Sequence, residues 1–93
     1  MKLSPNTEAY LRAQRALADL KAAVHAVLAA APSEGVTNAQ LGRALGIYGG
    51  HKGHEGHISR TVLGMLEAEG VAAQDPTTKA WKLVETDAST DQS

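Results

Sequence analysis

Between residues 5 and 31 the chain reads PNTEAYLRAQRALADLKAAVHAVLAAA, and apolar residues return every three or four positions: Tyr10, Ala13, Leu17, Leu20, Val24, Val27 and Ala31. That spacing places them on one stripe of an α-helix. Ser4 and Pro5 suit a helix start, and Pro32 suits its stop. A helix of this span is roughly 40 Å long at ~1.5 Å per residue. That is more than a domain this small can cover, so Tyr10, Leu11, Ala13 and Leu17 are in excess of what it needs. His25 falls near the core stripe and reads as a partly buried structural histidine.

Three further segments follow. Gly35-Val36 reads as a short strand. Thr37, with Gln40 three residues on, has the pattern of a reciprocal capping box, and predicts a short helix over about 37–45, with Gly46 as its stop. Its apolar positions are Ala39, Leu41, Ala44 and Leu45. A third helix is predicted over about 57–69, with Gly70 at its end. Ile58, Val62, Met65 and Leu66 are assigned to its core side, with His57, Arg60, Thr61 and Gly64 opposite. Val71–Gln74 and Ala80–Val84 read as two short strands joined by Asp75-Pro76-Thr77-Thr78-Lys79, a turn-forming run. The stretch 85–93 is polar and aperiodic, and is expected to be disordered. Residues 1–5 read as a short lead, and 6–84 as one domain, with 6–20 as a helical extension of it.

Composition narrows the class. The 93 residues include no cysteine and no Phe, one Trp and two Tyr. The core must therefore be aliphatic, and neither disulfides nor thiolate metal sites are available. No apolar run approaches the ~20 residues that span a bilayer, and the first ten residues have no signal-peptide core. The expectation is a soluble, cytoplasmic protein. Net charge is −1, but residues 43–60 carry +2 and the remainder −3. The modest positive segment leaves nucleic-acid binding open.

The order of helix, short strand, helix, loop, helix and hairpin resembles the winged helix-turn-helix domain of bacterial and phage transcription regulators. VTNAQLGRALGI stands where the motif has its first helix, HISRTVLGMLEAEGV where it has the recognition helix, and AAQDPTTKAWKL where it has the wing. The likeness covers about residues 20–84. It departs from the simple motif in one place: residues 46–56 intervene where a turn of about 3–4 residues is usual.

The resemblance implies a mainly α fold with a small hairpin, and sequence-specific binding of double-stranded DNA by a small repressor or accessory regulator without enzymatic activity or cofactor. His57, Ser59, Arg60 and Thr61 would face the major groove, with Arg60 able to bridge a guanine. Thr37, Asn38 and Gln40 would meet phosphate, and Thr77 and Lys79 would touch the backbone from the wing tip. Apart from the resemblance, the surplus stripe of the first helix reads as a homodimer contact through Tyr10, Ala13 and Leu17, the alternative being that it packs over its own domain or frays. The alternatives to DNA binding are a winged-helix module for protein partners and, more weakly, a metal-binding protein.

The metal alternative arises from GGHKGHEGH, residues 49–57, which packs four glycines and three histidines into nine positions. Three readings are open. His51, His54 and His57 could ligate a metal, since zinc accepts imidazoles. The glycines could free the backbone to present N–H groups to phosphate, with His51, Lys52, His54 and His57 as donors. The segment could also be an ordinary exposed loop. The second reading is favoured because the loop runs straight into the third helix. It predicts affinity that weakens as pH rises through the imidazole range.

Overall fold

The fold is taken from a computed structural model, which describes residues 4–49 and 55–85. It is mainly helical, with three helices and a two-stranded antiparallel hairpin: α1 (Ser4–Ala29), α2 (Asn38–Leu45), α3 (His57–Ala68), β1 (Ala72–Gln74) and β2 (Trp81–Leu83). Among the described residues, no helix is long and apolar enough to cross a membrane. The expected tail beyond Glu85 lies outside the described residues.

The elements fall where the hydrophobic pattern placed them, within two residues at each end. The capping box at α2 forms as expected. Thr37 Oγ1 accepts from the Gln40 amide at 3.1 Å, and Gln40 Oε1 accepts from the Thr37 amide at 2.9 Å. α2 ends at Gly46, which is left-handed.

One core, aliphatic as expected except for the buried Trp81, ties all five elements. Val24 and Leu28 come from α1, Leu41 from α2, Val62, Leu63 and Leu66 from α3, and Ala72 and Trp81 from the hairpin. The expected strand at Gly35-Val36 is one bridge long. Val36 and Trp81 exchange backbone hydrogen bonds of 3.0 and 2.6 Å, which adds a third partner to the hairpin. Gly35 makes this possible, because a Cβ there would stand 2.5 Å from the Trp81 carbonyl oxygen. Across the molecule, Lys21 of α1 is ion-paired to Glu69 at the end of α3.

Three expectations are corrected. Ser59 is completely buried rather than outward-facing, and Ile58 is 52% exposed rather than in the core. Both follow from one cause: α3 turns Ser59, Val62, Leu63 and Leu66 inward, an arc rotated by roughly 60° on a 100°-per-residue wheel from the one assigned. A serine fits there because α2 passes closely. A Cβ on Gly42 would lie 3.0 Å from Ser59 Oγ and 3.0 Å from Tyr48 Cβ. The hydroxyl is satisfied by donating to the Gly56 carbonyl at 3.2 Å. The third correction is His25, which is exposed rather than partly buried.

Candidate nucleic-acid interface

The start of α3 is assembled around one carbonyl. Gly56, its N-cap, is left-handed at φ 83°. Its oxygen accepts from Asn38 Nδ2 at 3.3 Å, from Ser59 Oγ at 3.2 Å and from the Arg60 amide at 2.9 Å. Its own amide donates to the Gly49 carbonyl at 3.2 Å, which closes the base of the glycine-histidine loop. No other residue suits this position. A Cβ would stand 2.6 Å from Asn38 Nδ2 and 2.8 Å from Tyr48 Cε1, and the backbone is in the region that L side chains disfavour. Tyr48 fills the space between α2 and the loop base, with the Arg43 guanidinium 4.7 Å above its ring. Residues 46–49 and 55–56 thus pin the long connection to α2, although it far exceeds a tight turn.

The solvent-facing side of α3 carries His57, Arg60 and Thr61, all exposed, and the half-buried Gly64. A Cβ on Gly64 would meet nothing within 4 Å. Glu67 is also exposed on this side. Arg60 Nη2 donates to the Glu55 carbonyl at 3.5 Å, a long bond that holds the guanidinium weakly. His57, Arg60 and Thr61 are therefore exposed, away from the buried arc of α3. Ser59, buried under them, acts on α3 itself.

The start of α2 adjoins this face through Asn38, the first residue of the helix. Its Nδ2 is used by Gly56, and its Oδ1 is buried with no hydrogen-bond partner among the described residues. The capping box occupies the Thr37 and Gln40 amides, and both side chains serve it as acceptors. The amides of Asn38 and Ala39, also among the helix's unpaired first-turn donors, have no hydrogen bond among the described residues. The expected phosphate contacts of Thr37, Asn38 and Gln40 are thereby narrowed. Backbone N–H groups carry the capacity, supplemented by the Thr37 hydroxyl proton and the Gln40 side-chain N–H groups.

On its other side the start of α2 meets the hairpin turn. Thr78 and Ala80 line one hollow together with Glu34, Thr37 and Gln40. The turn is built by Asp75, whose carboxylate does more than the turn-forming Asp-Pro pair implies. One of its carboxylate oxygens accepts from the amides of Thr77 at 2.7 Å and Thr78 at 2.9 Å. These bonds, the one from Thr78 foremost, hold its pKa below the ordinary aspartate value. The turn closes where Lys79 (φ 69°) donates its amide to the Asp75 carbonyl at 2.8 Å and Asp75 donates to the Ala80 carbonyl at 2.8 Å. Thr77 and Lys79 are left exposed at the tip.

His51, Lys52 and His54 lie outside the described residues. Among the described residues no group of three His, Cys, Asp or Glu side chains could hold a metal ion. Tyr10 and Ala13 are exposed on α1 and Leu17 is half-buried. No protein-family model matches the chain, and neither a curated protein nor a solved structure shows significant similarity to it.

Proposed function

We propose that the protein binds double-stranded DNA as a small winged helix-turn-helix repressor or accessory regulator. In this reading α3 lies in the major groove, the first turn of α2 holds a phosphate, and the hairpin is the wing. One observation supports it: the start of α3, the start of α2 and the hairpin turn, which hold the residues this reading needs, adjoin in succession. The start of α3 touches the start of α2 through Asn38 and Gly56, and the start of α2 shares a hollow with the hairpin turn.

The chemistry of these residues suits a duplex. Arg60 is the bidentate donor of choice for guanine, and each good pair is worth about 1–3 kcal/mol of discrimination. Thr61 and His57 can reach base edges beside it. Gly64 leaves the middle of α3 without a side chain, so the helix can lie close to the groove floor. Lys79 and Thr77 can reach the sugar-phosphate backbone. The near-neutral net charge of −1 implies few phosphate contacts and modest affinity outside the specific site.

Selection of bound sequences from a random duplex library tests the proposal. A recovered motif, with affinity that falls by a log–log salt slope of about −0.9 per phosphate contacted, supports it. Failure to retain any duplex at low salt favours a protein-binding winged helix instead. The specific observation on that side is the exposed Ile58 beside the same helix face.

A further inference from the structure

We infer that the first half of α1 and the flank of α3 beside it form one continuous surface that receives a second copy of this chain. From residue 6 to residue 16 every side chain of α1 is exposed. Tyr10, at 61% exposure, lies with Ala13 and Leu17 on the helix stripe that also holds Val24 and Leu28. Those two are buried in the core. The same stripe packs on its own domain in its second half, and on nothing among the described residues in its first. Next to it runs an apolar groove between α1 and α3, lined by Leu17, Leu20, Ile58 and Met65, with His57 and Thr61 at its edge.

Charge narrows the occupant. The charged residues of the overhang, Glu8, Arg12, Arg15 and Asp19, fall within roughly 60° of one another on the helix face opposite the stripe. Glu8 and Arg12 pair there at 3.8 Å. The stripe itself presents Asn6, Tyr10, Ala13, Gln14 and Leu17, none of them charged. Neither phosphate nor a strongly charged peptide finds a counter-charge on it. The groove, at 280 Å³, is below the ~300–1,000 Å³ of small-molecule sites. The chain's own stretch TDASTDQS, residues 86–93, has two carboxylates and no large apolar side chain to fill it.

A second α1 fits. Laid antiparallel about a two-fold axis between Ala13 and Gln14, Tyr10 of each copy stands opposite Leu17 of the other, and can enter the groove beside Ile58. This is the self-complementary geometry of an isologous dimer. Ala13 at the axis lets the helices approach. The strip from Asn6 to Leu20 is about 22 Å long and one helix face wide, which puts the contact at the small end of specific interfaces, near 1,000 Å² in total. A dissociation constant in the micromolar range is expected.

The test uses the full chain and no DNA, so its outcome is separate from that of the regulator proposal. Sedimentation velocity from about 1 to about 200 μM brackets the affinity of an interface this size. Wild type should approach twice the 9.7 kDa monomer mass, and Tyr10→Phe should follow it. Tyr10→Glu should stay monomeric, and its thermal melt should match that of wild type at concentrations where wild type is itself monomeric, since the side chain touches little of its own fold. The natural chain has no cysteine, so Ala13→Cys supplies a single thiol. It should oxidise to a disulfide dimer far faster than Ala73→Cys on the exposed side of β1. A wild type that remains monomeric throughout, a Tyr10→Glu variant that associates like wild type, or equal cross-linking at both cysteines overturns the inference.

Discussion

Gly42 of α2 and Ser59 of α3 meet so closely that a Cβ on the glycine would stand 3.0 Å from the serine hydroxyl. This contact sets how near the two helices lie, and with them the exposed face of α3. Gly42→Ala should therefore destabilise the fold by about 1–3 kcal/mol through overpacking. Thermal denaturation would show it as a loss of several degrees.

Gly64 should respond in the opposite sense. Its Cβ would meet nothing, and alanine is the better helix former by about 0.5–1 kcal/mol. Gly64→Ala should raise the melting temperature. Gly64→Glu should fold as well as wild type yet lose duplex binding by at least about tenfold, because length and charge are placed where α3 must approach DNA. Anisotropy with a selected duplex, alongside the melt, separates the two effects.

Gly56 holds the junction between α2, the loop base and α3. Gly56→Ala places an L residue at φ 83°, a strain of about 1–2 kcal/mol, and pushes on Asn38 and Tyr48 besides. Both stability and duplex affinity should fall, since the start of α3 and the start of α2 share this contact. Amide signals from residues 38, 48 and 59–60 should shift furthest in a proton–nitrogen correlation spectrum.

The hairpin turn should loosen in acid. Asp75 accepts hydrogen bonds from Thr78 and Thr77, which lower its pKa in the folded state. A carboxylate whose folded pKa lies below its unfolded value contributes its full stabilisation above the ordinary aspartate range, and loses it as pH falls through the depressed folded value. The Thr77 and Thr78 amide shifts should titrate together, with a midpoint below that of an unperturbed aspartate. In Asp75→Asn this titration should vanish.

Much of this fold was legible in the residues themselves, because its signals are local. Thr37 and Gln40 three apart specify a capping box. Gly46 and Gly70 stop helices, and Asp75-Pro76 starts a turn. The rotation of α3 was not legible. Ile58, Val62, Leu63, Met65 and Leu66 permit two adjacent apolar arcs, and periodicity does not choose between them. What distinguishes them is a contact with another helix: Gly42, seventeen positions before Ser59, passes so close that a Cβ on it would stand 3.0 Å from the serine hydroxyl. Arg60 and Thr61 stayed exposed through this rotation because they lie near the middle of the polar side. Ser59, at its margin, turned inward. The burial of Asn38 Oδ1, without a hydrogen-bond partner among the described residues, was equally hidden, because it follows from a contact between two segments and not from either alone.

Whether the exposed face of α3 meets duplex DNA can be read by adding a selected duplex to isotope-labelled protein and following each amide signal. Shifts should concentrate at residues 37–40, 57–64 and 77–79, shrink at high salt and weaken in Arg60→Ala. Shifts confined to α1, or no shift at low salt, would contradict contact between α3 and DNA.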